Sequence, residues 1–447
     1  MSEQSLEGLA RQARDAARVL ARISSAVKNR ALEQMAQALE SNTGALLEAN
    51  RKDMEFAGRE GLAGPLVARL ALNENKISGM VRGIRSVAAL ADPVGEVQVA
   101  TELDTDLTLT RVSCPIGVIG AIFESRPDAV PQIGSLCLKS GNAVILKGGV
   151  EAQHSNRKLC ELLRGALRKL DEVPENAIQL IQTRDEVTAM LKQDRYIDLI
   201  VPRGSNAFVR YVQDHTKIPV LGHSAGICHV YLDIAADPEK AVAIALDSKL
   251  QYPAACNALE TLLIHQDLAP RLLPALVKGF LAGGVALRAC RRLRELDPSL
   301  AAASEEDWDA EYNDLILSMK AVEGLDEAVN HINTHGSGHT DTIVTEDEIA
   351  AERFFNEVDS ASVMWNASTR FADGFRYGLG AEIGISTNKT HARGPVGLEG
   401  LVIYKYRVVG AGQKVADYAE GGTKTFKHRP LPVESLRGNN GPGGSAS

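Results

Sequence analysis

The first fifty residues of the chain repeat apolar side chains with helical spacing. Between residues 6 and 50 they recur every three or four positions, as at Leu9, Ala13, Ala16 and Leu20. This spacing places them on one face of a helix, with charged residues on the other. The segment is therefore predicted to form amphipathic helices.

Two β-rich segments follow, at residues 96–100 and 107–112. They flank the Asp-rich tetrapeptide at 103–106, after the break made by Pro93 and Gly95. Strand-like runs joined by a short polar turn are typical of a hairpin. Residues 95–113 are therefore predicted to form a β-hairpin arm.

A regular alternation of apolar runs and helical segments then begins. Predicted strands lie at residues 116–123, 143–147, 178–182 and 196–201, and predicted helices at 128–139, 153–170 and 186–193. A second series has predicted strands at 261–265, 315–319, 340–345 and 362–365, and helices at 239–250, 268–282, 325–332 and 347–356. Strands that alternate with helices of this length indicate parallel βαβ units. The predicted fold class is α/β, with two doubly wound domains and one more strand at 400–409.

Composition and charge exclude several classes of protein. The chain has 447 residues, of which 45% are hydrophobic and 24% charged, which is typical of a folded globular protein. Its net charge of -8 argues against a dedicated nucleic-acid binder, but it is compatible with a local basic pocket that binds a small anion. No run reaches the roughly 18 apolar residues of a membrane span, and Glu3, Glu7 and Asp15 do not fit a targeting peptide. The chain is expected to be cytosolic, with a disordered tail at 437–447.

Six cysteines are spread along the chain without any Cys-x-x-Cys pair: Cys114, Cys137, Cys160, Cys228, Cys256 and Cys290. Their spacing indicates neither a zinc site nor a disulfide framework. Most are expected to be small buried side chains. Cys256 differs because it lies among small residues and a proline, at 251–257, between a helix and an apolar run. Such a loop can expose a nucleophile, although spacing alone favours a structural role for this cysteine.

Two predicted strands of the first series end in small residues that suit an anion. Lys147, Gly148 and Gly149 follow one strand, and Arg203, Gly204 and Ser205 follow another. Backbone N–H groups beyond a parallel strand, at the start of a helix, bind phosphate groups. From the pattern alone, tight turns explain these glycines equally well.

His331, His335 and His339 recur every four residues, the spacing that would align ligands for a metal on a helix. Gly336 and Gly338 interrupt that helix, and no ligand pattern of Cys or carboxylate lies beside it. We therefore predict no metal site, and interpret the segment as a loop that is solvated or contacts an anion.

Four segments together identify the chain as similar to the aldehyde dehydrogenase superfamily, in particular to the branch that reduces an acyl phosphate. They are residues 120–127 (GAIFESRP), 140–149 (SGNAVILKGG), 252–257 (YPAACN) and 390–401 (THARGPVGLEGL). The resemblance extends from the N-terminal helices to Lys405. It implies NADPH-dependent reduction of L-glutamyl 5-phosphate to L-glutamate 5-semialdehyde with release of phosphate, the second step of proline biosynthesis.

The resemblance also implies a domain organisation. Residues 1–94 and 114–230 would form a nucleotide-binding domain, and 231–399 a catalytic domain. Residues 95–113 and 400–420 would form a β-arm used for oligomerisation, so a homo-oligomer is expected. Glutamate 5-kinase, which makes the labile substrate, is a candidate partner.

The resemblance assigns roles to particular residues. Cys256 corresponds to the catalytic cysteine, with Asn257 beside it. NADPH is expected to contact Lys147, Gly148, Gly149, Arg203, Gly204 and Ser205. Val150 stands where NAD-selective members often carry a glutamate, which favours NADPH. Candidate contacts to the substrate's phosphate or carboxylate are Ser125, Arg126, His223, His335 and Ser337.

One departure from the wider superfamily bears on the reaction. Aldehyde-oxidising members carry a glutamate base that activates water, whereas residues 221–227 here read LGHSAGI and offer no carboxylate. A thioester on Cys256 would then persist until hydride or phosphate reaches it. Two alternatives remain open at this point, a CoA-acylating aldehyde dehydrogenase and a non-catalytic scaffold.

Overall fold

The structure is a computed structural model that describes residues 3–62, 64–222 and 225–436. Its α-helices are α1 Glu3–Leu20, α2 Ser25–Ser41, α3 Thr43–Arg59, α4 Gly64–Leu70, α5 Glu74–Ala89, α6 Ala129–Lys139, α7 Gln153–Leu167, α8 Arg184–Met190, α9 Asn206–Asp214, α10 Pro238–Leu250, α11 Ala269–Ala282, α12 Arg291–Leu296, α13 Leu325–His335 and α14 Glu348–Glu357. Its strands are β1 Val97–Asp104, β2 Leu107–Pro115, β3 Val118–Ile122, β4 Ala143–Lys147, β5 Ile178–Ile181, β6 Leu199–Pro202, β7 Cys228–Leu232, β8 Leu259–His265, β9 Ala286–Ala289, β10 Ala301–Ala302, β11 Ile316–Val322, β12 Thr340–Val344, β13 Ser362–Trp365, β14 Gly384–Ser386, β15 Gly394–Val396, β16 Val402–Val409 and β17 Arg429–Pro430.

The chain divides into two compact units. The first contains the residues up to Arg203, His215–Val220 and the residues from Gly397 onward, and the second contains Gly204–Asp214 and Leu221–Val396. The predicted boundary at 230/231 would cut β7, which pairs with β8 and β12 in the second unit. The structure therefore begins the second unit earlier than the sequence analysis did, and the arm belongs to the first unit. The tail at 437–447 lies outside the described residues.

The first unit contains a parallel sheet with the strand order β5-β4-β3-β6. Every side chain of β3 is buried, as are all but the last of β4. Strands covered on both faces form continuous apolar runs, which is why the sequence pattern located all four of them. Their carboxyl ends place residues 123–127, 148–152 and 203 at one edge of the sheet.

The predicted hairpin arm is present as β1 and β2, which pair antiparallel around a turn with Asp106 at φ 56°. β16 pairs with β2 along its length, and β17 extends the other edge. Val97, Ala100 and Val112 pack on one face against Leu431 and Val433. The arm is thus a four-stranded antiparallel sheet.

The second unit contains a parallel sheet with the order β10-β9-β11-β8-β7-β12-β13. Apolar cores lie against it, one with α10 and α11 and the other with α13 and α14. β7 was not predicted from the sequence, because the polar His229 interrupts its apolar run. In the structure, the Asp341 carboxylate on β12 hydrogen-bonds both the Nδ1 atom and the backbone N–H of His229, each at 2.8 Å.

Candidate active site

Cys256 lies in a short loop of the second unit, between the end of α10 at Leu250 and the start of β8 at Leu259. Two backbone hydrogen bonds fold the loop, from Ala255 N to Tyr252 O at 3.2 Å and from Ala258 N to Ala255 O at 2.9 Å. Cys256 is half-buried, whereas Asn257 and Ala258 are buried. The loop therefore exposes part of Cys256 at the surface of the unit, while the two residues that follow it are buried.

The segment that leads into β7 packs directly beneath the Cys256 peptide. A Cβ atom at Gly226 would lie 2.1 Å from the carbonyl oxygen of Cys256, so only glycine fits there. The Sγ atom of Cys228 donates to the same oxygen at 3.3 Å. Burial raises the pKa of the Cys228 thiol well above its usual range, so it keeps the proton that it donates. Gly226 and Cys228 together form a socket for the Cys256 carbonyl.

A second segment, Ser368–Ala372, contacts the loop from another side. Ser248 Oγ hydrogen-bonds Ser368 Oγ at 3.2 Å. Arg370 Nε donates to Gln251 Oε1 at 2.9 Å, five residues before Cys256. Asn257 Nδ2 donates to Ala372 O at 2.8 Å, directly after Cys256. These contacts bracket the cysteine, and they make Asn257 a residue that anchors the loop.

A buried ion pair joins the two ends of the loop. Lys249 Nζ, in the last turn of α10, lies 2.7 Å from Glu260 Oε2 on β8, and both side chains are fully buried. Glu260 Oε1 also accepts the backbone N–H of Asn313 at 3.1 Å. Burial raises the pKa of Glu260 to about 7, with Lys249 acting against that rise. Burial likewise lowers the pKa of Lys249.

Two residues of the second unit that are predicted to contact the substrate, Ser337 and His335, interact with other protein groups in the structure. Ser337 Oγ accepts the backbone N–H of Ile227 at 2.9 Å, which fixes the segment beneath Cys256. His335 Nδ1 lies 2.9 Å from Asp309 Oδ1. His223 lies outside the described residues. Substrate contacts by Ser337 and His335 remain predictions.

The predicted substrate contacts of the first unit lie after β3. Ser125 has a positive φ of 38°, and Glu151 Oε1 accepts both its backbone N–H and its hydroxyl at 2.6 Å. A serine in this strained region needs such support. Arg126 is more exposed and lies 3.2 Å from Asp128. Glu151 thus engages both polar groups that Ser125 could offer a substrate.

Lys147 ends β4 and is half-buried at the carboxyl edge of the sheet. Burial lowers the pKa of its ammonium, and the Glu151 carboxylate opposes that change. Among the described residues the ammonium has no hydrogen-bond or ion-pair partner, so it can reach a ribose hydroxyl or a phosphate. The residues here thus fit one end of a nucleotide.

Side-chain ends lie close to both glycines that follow Lys147. A Cβ atom at Gly148 would lie 2.0 Å from Asn156 Nδ2 on α7, and one at Gly149 would lie 1.9 Å from Glu151 Oε1. Arg203 follows β6, where its backbone N–H donates to Ile122 O at 2.7 Å. In the second unit, Gly204 and Ser205 precede α9, and Ser205 Oγ accepts the N–H of Phe208 at 3.4 Å. Nucleotide contacts by these residues remain predictions.

The histidines singled out by their spacing lie at the end of α13 and just beyond it. The rings of His331 and His335 are 4.6 Å apart, and His339 Nδ1 lies 2.8 Å from Thr340 Oγ1. Within residues 3–62, 64–222 and 225–436, no group of three or more His, Cys, Asp or Glu side chains is arranged to hold a metal. Within the same ranges, no helix has the length and apolar composition needed to cross a membrane.

The structure therefore brings Cys256, Asn257 and Ser337 into one neighbourhood of the second unit. It adds residues that the sequence analysis missed, namely Gly226, Cys228, Lys249, Glu260 and Arg370. The sequence does carry a signal for Lys249 and Glu260, because these two charged residues flank the cysteine segment at 251–257. Nothing in the sequence pattern distinguishes Arg370, because its position depends on the path of a loop more than a hundred residues away.

A half-exposed cysteine on a tightly held loop, beside a parallel α/β sheet, suits covalent chemistry on an acyl group. The model of the aldehyde dehydrogenase family matches residues 1–282. The chain belongs to this family, whose members are oxidoreductases that use nicotinamide cofactors.

Individual relatives show which group within the aldehyde dehydrogenase family the chain is similar to. A gamma-glutamyl phosphate reductase of Pelotomaculum thermopropionicum is 56% identical over 95% of this chain and 97% of its own length. The crystal structure of a gamma-glutamyl phosphate reductase from Thermotoga maritima covers 92% of this chain and 99% of its own, with a TM-score of 0.89 and 41% identity. Within the family, the chain therefore groups with the gamma-glutamyl phosphate reductases.

A more distant structure shares the fold alone. An engineered glycolyl-CoA reductase with bound NADP⁺ is 17% identical, with a TM-score of 0.63 over 90% of this chain and 96% of its own. The resemblance recognised from the sequence motifs is confirmed by these comparisons, and so is the α/β fold class.

Proposed function

We propose that this chain catalyses the NADPH-dependent reduction of L-glutamyl 5-phosphate to L-glutamate 5-semialdehyde, with release of phosphate, in proline biosynthesis. The observation that carries the proposal is the 56% identity to a gamma-glutamyl phosphate reductase over 95% of the chain. The loop that holds Cys256 supports it, because a reductase of an acyl phosphate needs a cysteine held ready for attack.

The chemistry follows from the groups at this loop. The Cys256 thiolate attacks the acyl carbon, the bond from carbon to the phosphate oxygen breaks, and the electron pair leaves with phosphate. The product is a thioester on Cys256. Because phosphate is a good leaving group, this step needs no strong acid.

The second half-reaction returns Cys256 to its starting state. When bound, the nicotinamide cofactor supplies the hydride that reduces the thioester. Collapse of the resulting thiohemiacetal on Cys256 then releases the aldehyde and restores the thiolate. The sequence lacks a glutamate at 221–227 that would activate water, which favours this course over hydrolysis.

Lys147, Gly148, Gly149, Arg203, Gly204 and Ser205 are proposed to hold the nucleotide. The Lys147 ammonium is the best supported of them, because it lies at the carboxyl edge of a parallel sheet, where nucleotides bind in open α/β folds. Glu151 is the neighbouring carboxylate, and it accepts two hydrogen bonds from Ser125. A carboxylate engaged in this way is less able to bind the 2′-hydroxyl of NADH, which fits a preference for NADPH.

The four-stranded arm is proposed to mediate homo-oligomerisation. β16 forms one edge of its sheet, and Tyr404, Tyr406 and Val408 are exposed along it. An exposed apolar edge strand is a ready surface for pairing with another chain. Sedimentation velocity on the purified protein would test this proposal, and a monomer at micromolar concentration would contradict it. Capture of glutamate 5-kinase by the purified protein would test that partner separately.

The decisive experiment combines a substitution of Cys256 with a test of whether the reverse reaction requires inorganic phosphate. Cys256→Ala is expected to abolish turnover and leave nucleotide binding largely intact, while Cys160→Ala, at a buried cysteine of the first unit, is expected to keep activity. Reduction of NADP⁺ by glutamate semialdehyde should require inorganic phosphate, and the specificity constant for NADPH should exceed that for NADH. Activity of Cys256→Ala within a few-fold of the unsubstituted protein would refute the proposed nucleophile. A requirement for CoA in place of phosphate would favour a CoA-acylating enzyme.

A further inference from the structure

Arg370 is a buried cation that forms no ion pair with any carboxylate of the described residues. Only 8% of its surface is exposed. Its Nε atom donates to the neutral side chain of Gln251 at 2.9 Å, and its guanidinium lies 5.9 Å from the centre of the Tyr252 ring. Its backbone carbonyl accepts a hydrogen bond from another cation, Arg376, at 2.6 Å. Among the described residues, neither Nη atom of Arg370 donates to any group.

Such an arrangement is costly for the protein by itself. A guanidinium stays charged at every physiological pH, so a buried arginine is normally paired with carboxylates. Arg353, in the same unit, is half-exposed and still contacts both Asp326 and Glu357. Burial and the neighbouring Arg376 lower the pKa of Arg370, while Cys256 and two aspartates act in the opposite direction. Asp373 and Asp247 act on this charge, but neither forms an ion pair with the guanidinium, so a direct anionic partner is expected to come from a ligand.

The position of Arg370 indicates which ligand atoms it meets. Its side chain contacts Gln251 and Tyr252 before Cys256, and Ala372, two residues beyond it, contacts Asn257 after Cys256. Attraction between its charge and the Cys256 thiolate partly offsets the effect of burial on the Arg370 pKa. The guanidinium thus shares the immediate environment of the nucleophile.

We propose that the Arg370 guanidinium binds the phosphoryl group of the acyl phosphate that Cys256 attacks. This inference rests on the proposed function. The phosphoryl group is bonded to the oxygen on the attacked carbon, so it must lie near Cys256, whereas the α-carboxylate lies at the opposite end of the glutamyl chain. A guanidinium fork matches the oxygens of a phosphate. Arg370 keeps its protons throughout and stabilises the phosphate as the electron pair leaves with it.

The test varies inorganic phosphate in the reverse reaction, with glutamate semialdehyde and NADP⁺ held constant. Loss of hydrogen bonds to a charged group predicts that Arg370→Gln raises the KM for phosphate roughly 10- to 150-fold. Arg370→Lys keeps the charge but loses the fork, so a smaller rise is expected. Arg353→Gln, which removes an arginine from surface ion pairs of the same unit, is the matched control and should leave the phosphate KM unchanged.

A second measurement separates phosphate binding from an effect on the thiol or on folding. The rate of Cys256 alkylation by iodoacetamide is measured against pH, with and without inorganic phosphate. Phosphate should protect Cys256 in the unsubstituted protein and much less in Arg370→Gln and Arg370→Lys. If Arg370→Gln does not fold, as judged by thermal unfolding, the Lys variant carries the test.

The outcomes are distinct. An unchanged phosphate KM in a folded Arg370 variant would overturn the inference. This holds even if the pH profile of Cys256 alkylation shifts in that variant, because such a shift alone would indicate an effect on the thiol and not on phosphate binding. A normal enzyme with no phosphate dependence would instead overturn the proposed function on which the inference rests.

Discussion

The buried pair Lys249–Glu260 allows a quantitative test of how the Cys256 loop is held. Lys249→Met would remove the ammonium 2.7 Å from Glu260 and leave a carboxyl group that is fully buried. Removing one partner of such a pair typically costs about 3–5 kcal/mol, because Glu260 must then either stay buried as an uncompensated charge or take up a proton. Since 1 kcal/mol shifts the unfolding midpoint by about 2–4 °C in a unit of this size, the midpoint of Lys249→Met should fall by about 6–20 °C.

A surface pair in the same unit provides the matched control. Lys240 Nζ lies 2.8 Å from Glu346, almost the same separation, but both side chains are about half-exposed. Exposed pairs contribute little because water and salt screen them. Differential scanning calorimetry of Lys240→Met should therefore give a midpoint within experimental error of the unsubstituted protein, so that burial alone separates the two variants.

The pH dependence gives an independent check on the same pair. Burial raises the pKa of Glu260 from 4.5 to about 7, so the folded state binds its proton more tightly than the unfolded state. Stability from this group is therefore largest below about pH 4.5 and declines as the pH rises toward 7. Glu260→Gln should remove that decline, although Lys249 and the Glu311 carboxylate also act on the group.

Two results would refute this reasoning. The first is a midpoint for Lys249→Met within about 2 °C of the unsubstituted protein, which is below the smallest shift expected from the cost of an unpaired buried charge. The second is a double variant, Lys249→Met with Glu260→Gln, that is no more stable than Lys249→Met alone. Removal of both charges should recover stability, because no buried charge is then left without a partner.

Two further predictions concern other parts of the second unit. Gly226→Ala should lower kcat at least about 100-fold, because its Cβ would lie 2.1 Å from the Cys256 carbonyl oxygen and displace the proposed nucleophile. Gly324→Ala, where no atom lies within 4 Å of the added carbon, should keep activity, and equal kinetics for the two variants would contradict the proposed socket. Burial lowers the pKa of His331 from 6.5 to about 2, so only the unfolded state takes up this proton as the pH falls below 6.5, and stability declines. His331→Phe should reduce that decline by up to about 1.4 kcal/mol per pH unit, and parallel stability curves between pH 6.5 and 5 would contradict it.

The sequence pattern was sufficient wherever burial on both faces made an element uniformly apolar. β3 and β4 were located for this reason, and the hairpin arm was located by its polar turn between two β-rich runs. The family and the general class of chemistry followed from motifs that lie together in the sequence. Cys256 was predicted as the nucleophile because the motif that contains it, at 252–257, is likewise contiguous in the sequence.

The sequence pattern failed where a polar group is buried against a partner distant in the chain. His229 hid β7 because its partner Asp341 lies more than a hundred residues away. For the same reason the boundary of the second unit was placed too late. Glu151 contacts Ser125 across 26 residues, and no local pattern indicates that pair. Such contacts follow from the packing of several elements, which residue types alone do not determine.

The contacts around Cys256 explain why this loop can present a nucleophile. Gly226 and Cys228 fix its carbonyl, Asn257 fixes the next residue, and Lys249 with Glu260 fixes both ends. These contacts lie within the second unit and are made before any substrate arrives, so their entropic cost is met on folding and not during the reaction. It follows that substitutions which loosen the loop without unfolding the protein should lower kcat more than they raise the KM for substrate. An Arg370 variant should show the opposite pattern for phosphate, because Arg370 is proposed to contact the ligand directly.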